Sequence, residues 1–261
     1  MKFFKNLGIT LFIIYAIACV VLFFAQDRII FLPDTLPEDY VFRAGEEVEI
    51  EVEDGVSLNC LWLKEPNSRG VIFYLHGNRG SLRRCLHQAN QMDGNDYDIF
   101  LHDYRGYGKS DGVIRSEDQI HKDNQKVYDF LKQHYPEEKI VLVGYSLGSG
   151  MASYLASKNN PQQLFLLAPY YSMIDIKDRR APIIPDFLLK YQFKSFDFLK
   201  NVKMPITLFH GTRDNVIPYD SSEKLRALKP DLIELVTLNN ESHRGAIFNP
   251  VFRNTLSDLL K

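Results

Sequence analysis

Three cysteines in 261 residues are too few for a scaffold built on disulfides. None stands in a CxxC pair or beside histidines at zinc-ligand spacing, so no metal site is expected. Cys60 and Cys85 leave room for a single bridge, if their Cα atoms lie within about 7 Å. No block of like charge exists either. The formal net charge is −2 and Lys and Arg are scattered, whereas polyanion binding needs a concentrated basic face. Nucleic acid is therefore not an expected partner. Internal repeats and low-complexity tracts are missing too, which removes solenoids and collagen-like chains. What remains is 45% hydrophobic and 25% charged, an ordinary balance for a chain that buries a core.

Charge is also missing locally. The run from Leu7 to Ala25 is uncharged and mostly apolar, preceded by Lys2 and Lys5 and ended by Gln26, Asp27 and Arg28. Coiled as a helix, it spans roughly the hydrocarbon core of a bilayer. We expect a membrane anchor over residues 1–28. The rivals are a signal peptide cut at Ala16-Ile17-Ala18 and lipidation at Cys19, but Val20 to Phe24 continues the apolar run past either. The two leading lysines predict a cytoplasmic N-terminus, with the remainder across the membrane.

A connector follows over residues 29–47, rich in Pro and Glu from Leu32 onward. Val48 to Glu53 alternates apolar and charged residues, Asp54-Gly55 marks a tight turn, and Val56 to Leu63 returns as the partner strand. Beyond this the pattern changes to short, continuous apolar runs alternating with helical stretches. The runs are Val71–Leu75, Asp98–Leu101, Lys139–Val143, Gln163–Ala168, Pro205–Phe209 and Leu232–Leu238. The helices fall at Ser81–Met92, Ser116–His134 and Leu147–Lys158. Strands buried on both faces between helices predict one α/β domain over residues 48–261, with a mostly parallel central sheet. From Pro169 to Met204 no strand is expected, but Pro182, Pro185, Phe187, Tyr191, Phe193, Phe196 and Phe198 are. An insertion of this length is expected as a lid at about 169–204, its aromatics mostly packing it down and a minority lining a pocket.

Gly144-Tyr145-Ser146-Leu147-Gly148 links a buried strand to a helix. A serine can attack a carbonyl only if its Oγ projects clear of the backbone, which a sharp strand–turn–helix reversal provides. It also needs a base and an orienting acid, expected in the order Ser, acid, His after later strands. Asp214 follows the strand Pro205–Phe209, and His243, the only histidine after Asp214, follows Leu232–Leu238. Asp175, Asp220 and Asp231 stand as fallback acids. Of the other histidines, His121 and His134 read as solvated, and His76 and His210 as architectural. The oxyanion donors fall to the backbone N–H of Leu147 and of Asn78, with Arg79 as the neighbouring alternative. The loop Asp103 to Ser110 reads as pinned by internal hydrogen bonds and an Arg ion pair.

At these residues the chain resembles the α/β-hydrolase superfamily, and is especially similar to membrane-anchored serine hydrolases of the monoacylglycerol-lipase-like and depalmitoylase-like branch. The match rests on Tyr74-Leu75-His76-Gly77-Asn78, on Asp103-Tyr104-Arg105-Gly106-Tyr107-Gly108 and on Gly144 to Gly150. His210-Gly211-Thr212-Arg213-Asp214 with Ile217-Pro218, Ser242-His243 and the stretch Gln26 to Pro33 complete it. Two positions depart from the pattern: Ser242 where relatives commonly carry Gly or Asn, and Arg79 where a small residue is frequent. The resemblance implies the α/β-hydrolase fold and ester or thioester hydrolysis by Ser146, Asp214 and His243, without cofactor or metal. The implied substrate is a small-molecule ester or acyl compound. An aminopeptidase-like amidase and a non-catalytic scaffold protein are the other classes open to this sequence.

Overall fold

The computed structural model describes residues 2–261. Its main sheet has eight strands: β1 Glu46–Glu53, β2 Val56–Leu63, β3 Val71–Leu75, β4 Asp98–His102, β5 Ile140–Tyr145, β6 Gln163–Leu167, β7 Ile206–Gly211 and β8 Ile233–Leu238. Their spatial order is β8-β7-β6-β5-β3-β4-β2-β1. Only β2 runs against the rest, pairing antiparallel with both β1 and β4. The helices are α1 Lys2–Ile30, α2 Leu82–Ala89, α3 Glu117–Lys132, α4 Leu147–Lys158, α5 Met173–Arg180, α6 Ser195–Asn201, α7 Asp220–Arg226 and α8 Pro250–Leu259. This is the α/β-hydrolase fold.

Every residue of β3, β4, β5 and β6 is buried, because helices cover both faces of the sheet. Alternate residues feed two separate cores. Val71, Phe73 and Leu75 of β3 face one, Ile72 and Tyr74 the other. Cys60 belongs to the first core and Cys85 to the second. With the sheet between them no bridge forms, and all three cysteines are free and buried.

α1 is 29 residues long, about 43 Å, and is the one described helix long and apolar enough to cross a membrane. It continues to Ile30, past the predicted limit at residue 28, and its last turns dock on the domain. The Gln26 amide donates to the Leu188 carbonyl at 2.8 Å and accepts from the Lys190 N–H at 2.9 Å. Asp27 pairs with Lys190 and accepts from the Tyr191 hydroxyl at 2.8 Å. The segment after the helix is equally bound. Phe31, Leu36 and Phe42 are buried, and Leu32–Pro33 pairs in parallel with Arg79–Gly80.

The stretch Pro169 to Met204 contains no strand. It holds α5, the 3-10 turn Asp186–Leu188 and α6. Of its aromatics, Tyr191 and Phe193 are fully buried in the core, Tyr170 lines the cavity over Ser146, Phe198 lines a second pocket and Phe187 is exposed to solvent. His121 differs from its expected solvated state. It is buried on α3, its ring stacked 3.7 Å from that of Tyr154 on α4, because position 121 lies on the face that meets α4. His134, near the end of the same helix, is exposed as expected.

Candidate active site

β5 and α4 meet without a loop, so the chain reverses at Ser146 itself, with φ 52° and ψ −118°. That left-handed backbone is costly for a residue with a Cβ, and it lifts the side chain off the end of the sheet. The Ser146 N–H donates to the Leu167 carbonyl at 2.9 Å, which anchors the turn to β6. Close approach is possible only because position 148 has no side chain. A Cβ there would lie 2.1 Å from the Leu75 carbonyl oxygen and 2.6 Å from that of His76.

The structure brings Ser146, His243 and Asp214 together at the carboxyl ends of β5, β8 and β7. His243 Nε2 lies 2.9 Å from Ser146 Oγ, and its Nδ1 lies 2.7 Å from Asp214 Oδ2. The Asp214 carboxylate is fully buried. Burial alone would raise its pKa, but hydrogen bonds from His210, His243 and the Ile217 N–H overcome it and hold it well below the usual carboxylate range. An ionised carboxylate only accepts, so Nδ1 of the neutral imidazole carries the proton and Nε2 is free to accept from the serine hydroxyl. The fallback acids stand elsewhere: Asp175 and Asp220 pair with Arg179 and Lys224, and Asp231 is exposed.

Two residues that the sequence did not reveal as part of the site hold this line. His210 Nε2 lies 3.3 Å from Asp214 Oδ2 and 3.0 Å from the Ile217 carbonyl, so its position before Gly211 also serves the acid. The Tyr145 hydroxyl donates to the His243 carbonyl at 3.0 Å, and its ring stacks on the imidazole at 5.6 Å. Burial pushes the Tyr145 phenol up to about 12, against the opposing pull of Arg84 and Arg244.

Asn78 and Leu147 flank Ser146 in the cavity wall, and neither backbone N–H makes a backbone hydrogen bond. The loop carrying Asn78 is clamped from below. The Tyr104 hydroxyl donates to the His76 carbonyl and the Tyr107 hydroxyl to the Asn78 carbonyl, both at 2.8 Å. Arg105 pairs with Asp123 and Glu53, which fixes the loop Asp103 to Ser110. Beneath lies a buried pair in which His76 Nε2 is 3.6 Å from Asp103 Oδ1. Burial lowers His76 to about 4 and raises Asp103 to about 8, so both are neutral near pH 7.

The cavity over Ser146 has a volume of about 340 Å³. Ile29 and Ile30 from the end of α1, Leu32 just beyond it, Met173 and Ile176 from α5, and Val216 and Ile217 give it apolar walls. Arg79, Arg84, Arg180 and Arg244 also line it, and no carboxylate does. Among the described residues no group of three His, Cys, Asp or Glu side chains is placed to hold a metal ion.

The sequence profile of the family described as serine aminopeptidase, S33, matches residues 66–199. The uncharacterized protein YfhR of Escherichia coli K12 is 24% identical over 98% of this chain and 95% of its own length. Alpha/beta hydrolase domain-containing protein 17C of Xenopus tropicalis is 28% identical over 78% of this chain and 67% of its own. Among solved structures, Pyrococcus furiosus esterase Pf2001 superposes with a TM-score of 0.68 at 19% identity, covering 88% of this chain and 97% of its own. Est1E from Butyrivibrio proteoclasticus with bound ferulic acid gives 0.66 at 18%, covering 82% and 97%. With half of its length matched by that profile on this fold, the chain belongs to the serine aminopeptidase S33 family of the α/β-hydrolase superfamily.

Proposed function

We propose that the protein is a membrane-anchored serine hydrolase that cleaves carboxylic esters or thioesters of acyl, lipid-like substrates. The observation that carries this reading is the unbroken line from Ser146 Oγ through His243 to Asp214, on a serine whose backbone is held left-handed. His243 takes the serine proton as Oγ attacks the acyl carbonyl. The resulting oxyanion sits between the Asn78 and Leu147 N–H groups. His243 then protonates the leaving group, and water activated by the same imidazole releases the acid from Ser146. No step calls on a cofactor. The apolar helix α1 serves as the anchor in this reading, with residues 29–47 leading into the catalytic domain and the N-terminus on the cytoplasmic side. The esterases among the structural neighbours support this choice of chemistry.

The family description speaks for a second reading, aminopeptidase activity. A free α-ammonium group needs an anionic partner in the site, and the cavity presents four arginines and no carboxylate. That charge disfavours it. A fluorophosphonate probe should label the full-length, detergent-solubilised protein and fail on S146A, and the wild type should cleave acyl esters faster than aminoacyl amides. Absence of labelling, or equal labelling of S146A, would overturn the hydrolase reading.

A further inference from the structure

The charge on the cavity wall has no counterpart inside the protein. Arg83, one residue away from the cavity, pairs with Asp34, but Arg79, Arg84 and Arg244 have no ion-pair partner among the described residues. Arg180 donates only to the Val216 carbonyl. A neutral donor joins them. The Gln88 carbonyl oxygen accepts from the Tyr74 hydroxyl at 2.9 Å, which fixes the amide so that its NH₂ is left for the cavity that Gln88 lines. The polar wall is therefore rich in donors and positively charged.

Apolar and cationic residues share the cavity over Ser146. Asn78, one proposed oxyanion donor, bonds through its side chain to the Ile30 carbonyl, so the proposed oxyanion site lies beside the apolar end of α1. The leaving group must lie against His243, which protonates it. Arg244 follows that histidine in the chain, and Arg84 and Arg244 line the same cavity as His243 and Tyr145. Resting on the serine-hydrolase reading above, we propose that Arg84 and Arg244 bind an anionic group, phosphate or carboxylate, on the leaving-group side of the substrate. The preferred substrate is then an acyl ester of an anionic alcohol, its chain along Ile29, Ile30 and Met173. Guanidinium groups suit this role, since they bind such oxyanions through paired N–H donors.

The test compares 1-butyrylglycerol with 1-butyrylglycerol 3-phosphate, both monomeric in water, using full-length solubilised protein. The phosphorylated ester should have a kcat/KM about tenfold higher, the order of one charge-assisted hydrogen bond. In R84Q/R244Q that ratio should fall to about one, chiefly through KM, and R84K/R244K should recover part of it. Equal turnover of the two esters by the wild type, or a ratio that survives in R84Q/R244Q, overturns the proposal and leaves the hydrolase reading intact. So does a preference confined to long-chain micellar substrates, which would mean the arginines gather a surface. A preference for monosuccinylglycerol instead would put the anion on the acyl side and also overturn it. Failure to cleave either ester overturns it as well, and fluorophosphonate labelling of Ser146 then shows whether the hydrolase reading falls too.

Discussion

The Asn78 side-chain amide donates to the Ile30 carbonyl at 2.9 Å, tying the last turn of the apolar helix to the loop beside Ser146. The carbonyls of a final helical turn lack partners within the helix, so Asn78 acts as a cap supplied from 48 residues away. One bond thus joins the proposed anchor to the proposed oxyanion site.

Asn78→Ala separates the two roles of this residue. The backbone N–H stays, while the tether to Ile30 is lost. A hydrogen bond of this kind contributes about 1 kcal/mol net. We expect kcat on a short soluble ester to fall about fivefold with little change in KM. Unchanged kcat would show that the Tyr104 and Tyr107 hydroxyls hold the loop without help from α1.

Gly148→Ala tests the close approach that shapes the turn. The added Cβ meets two backbone oxygens, at Leu75 and His76, which have no rotamer to escape into. Overpacking of this type costs about 1–3 kcal/mol. The expected Tm loss is about 5–10 °C in differential scanning fluorimetry. Activity should fall further than stability, because the displaced strand end carries Asn78. A fully active, equally stable variant would contradict the geometry at the Ser146 turn.

The fold was largely legible because each buried strand is a run of apolar residues with turn signals at its ends. Val56–Leu63, Val71–Leu75 and Leu147–Lys158 appear at their expected limits, and the other strands shift by a residue or two. Ser146 and His243 were legible for a different reason: a strand–turn–helix serine and the last histidine in the chain are local marks. What stayed hidden depends on contacts across the sequence. The stacking of His121 on Tyr154 and the hold of Gln26 and Asp27 on residues 188–191 join segments that no local pattern connects. The same is true of the arginines, scattered in the chain and gathered only by the fold. Cys60 and Cys85 show the converse, since only the intervening sheet reveals that they cannot meet.

Asp103→Asn probes the buried neutral pair through pH. The Asp103 carboxyl is raised to about 8 in the fold, from an ordinary value near 3.8, so between those values the folded chain binds the extra proton. This carboxyl alone therefore lowers wild-type stability as pH rises through that window, by at most about 1.4 kcal/mol per unit, while His76, neutral in the fold, opposes it below about 6.5 in wild type and variant alike. An Asn carbonyl can still accept from the Leu82 N–H, and its NH₂ can face His76 Nε2. The Tm advantage of Asp103→Asn over wild type should grow between pH 5 and 8. A constant difference would show that Asp103 titrates in the fold as it does in the unfolded chain.

Asp214→Asn should leave the fold intact and reduce kcat on the order of 10⁴-fold, because an amide no longer enforces the Nδ1–H tautomer of His243. His210 makes the result more specific. Its Nε2 sits between the Ile217 carbonyl, which only accepts, and the Asp214 carboxylate, so its N–H is shared between them. His210→Gln weakens support for the acid without removing it. Its loss should be much smaller, about tenfold, and the two effects should not add in the double variant, since both act through one imidazole. Additive losses would mean that His210 acts on turnover by a route that does not pass through Asp214.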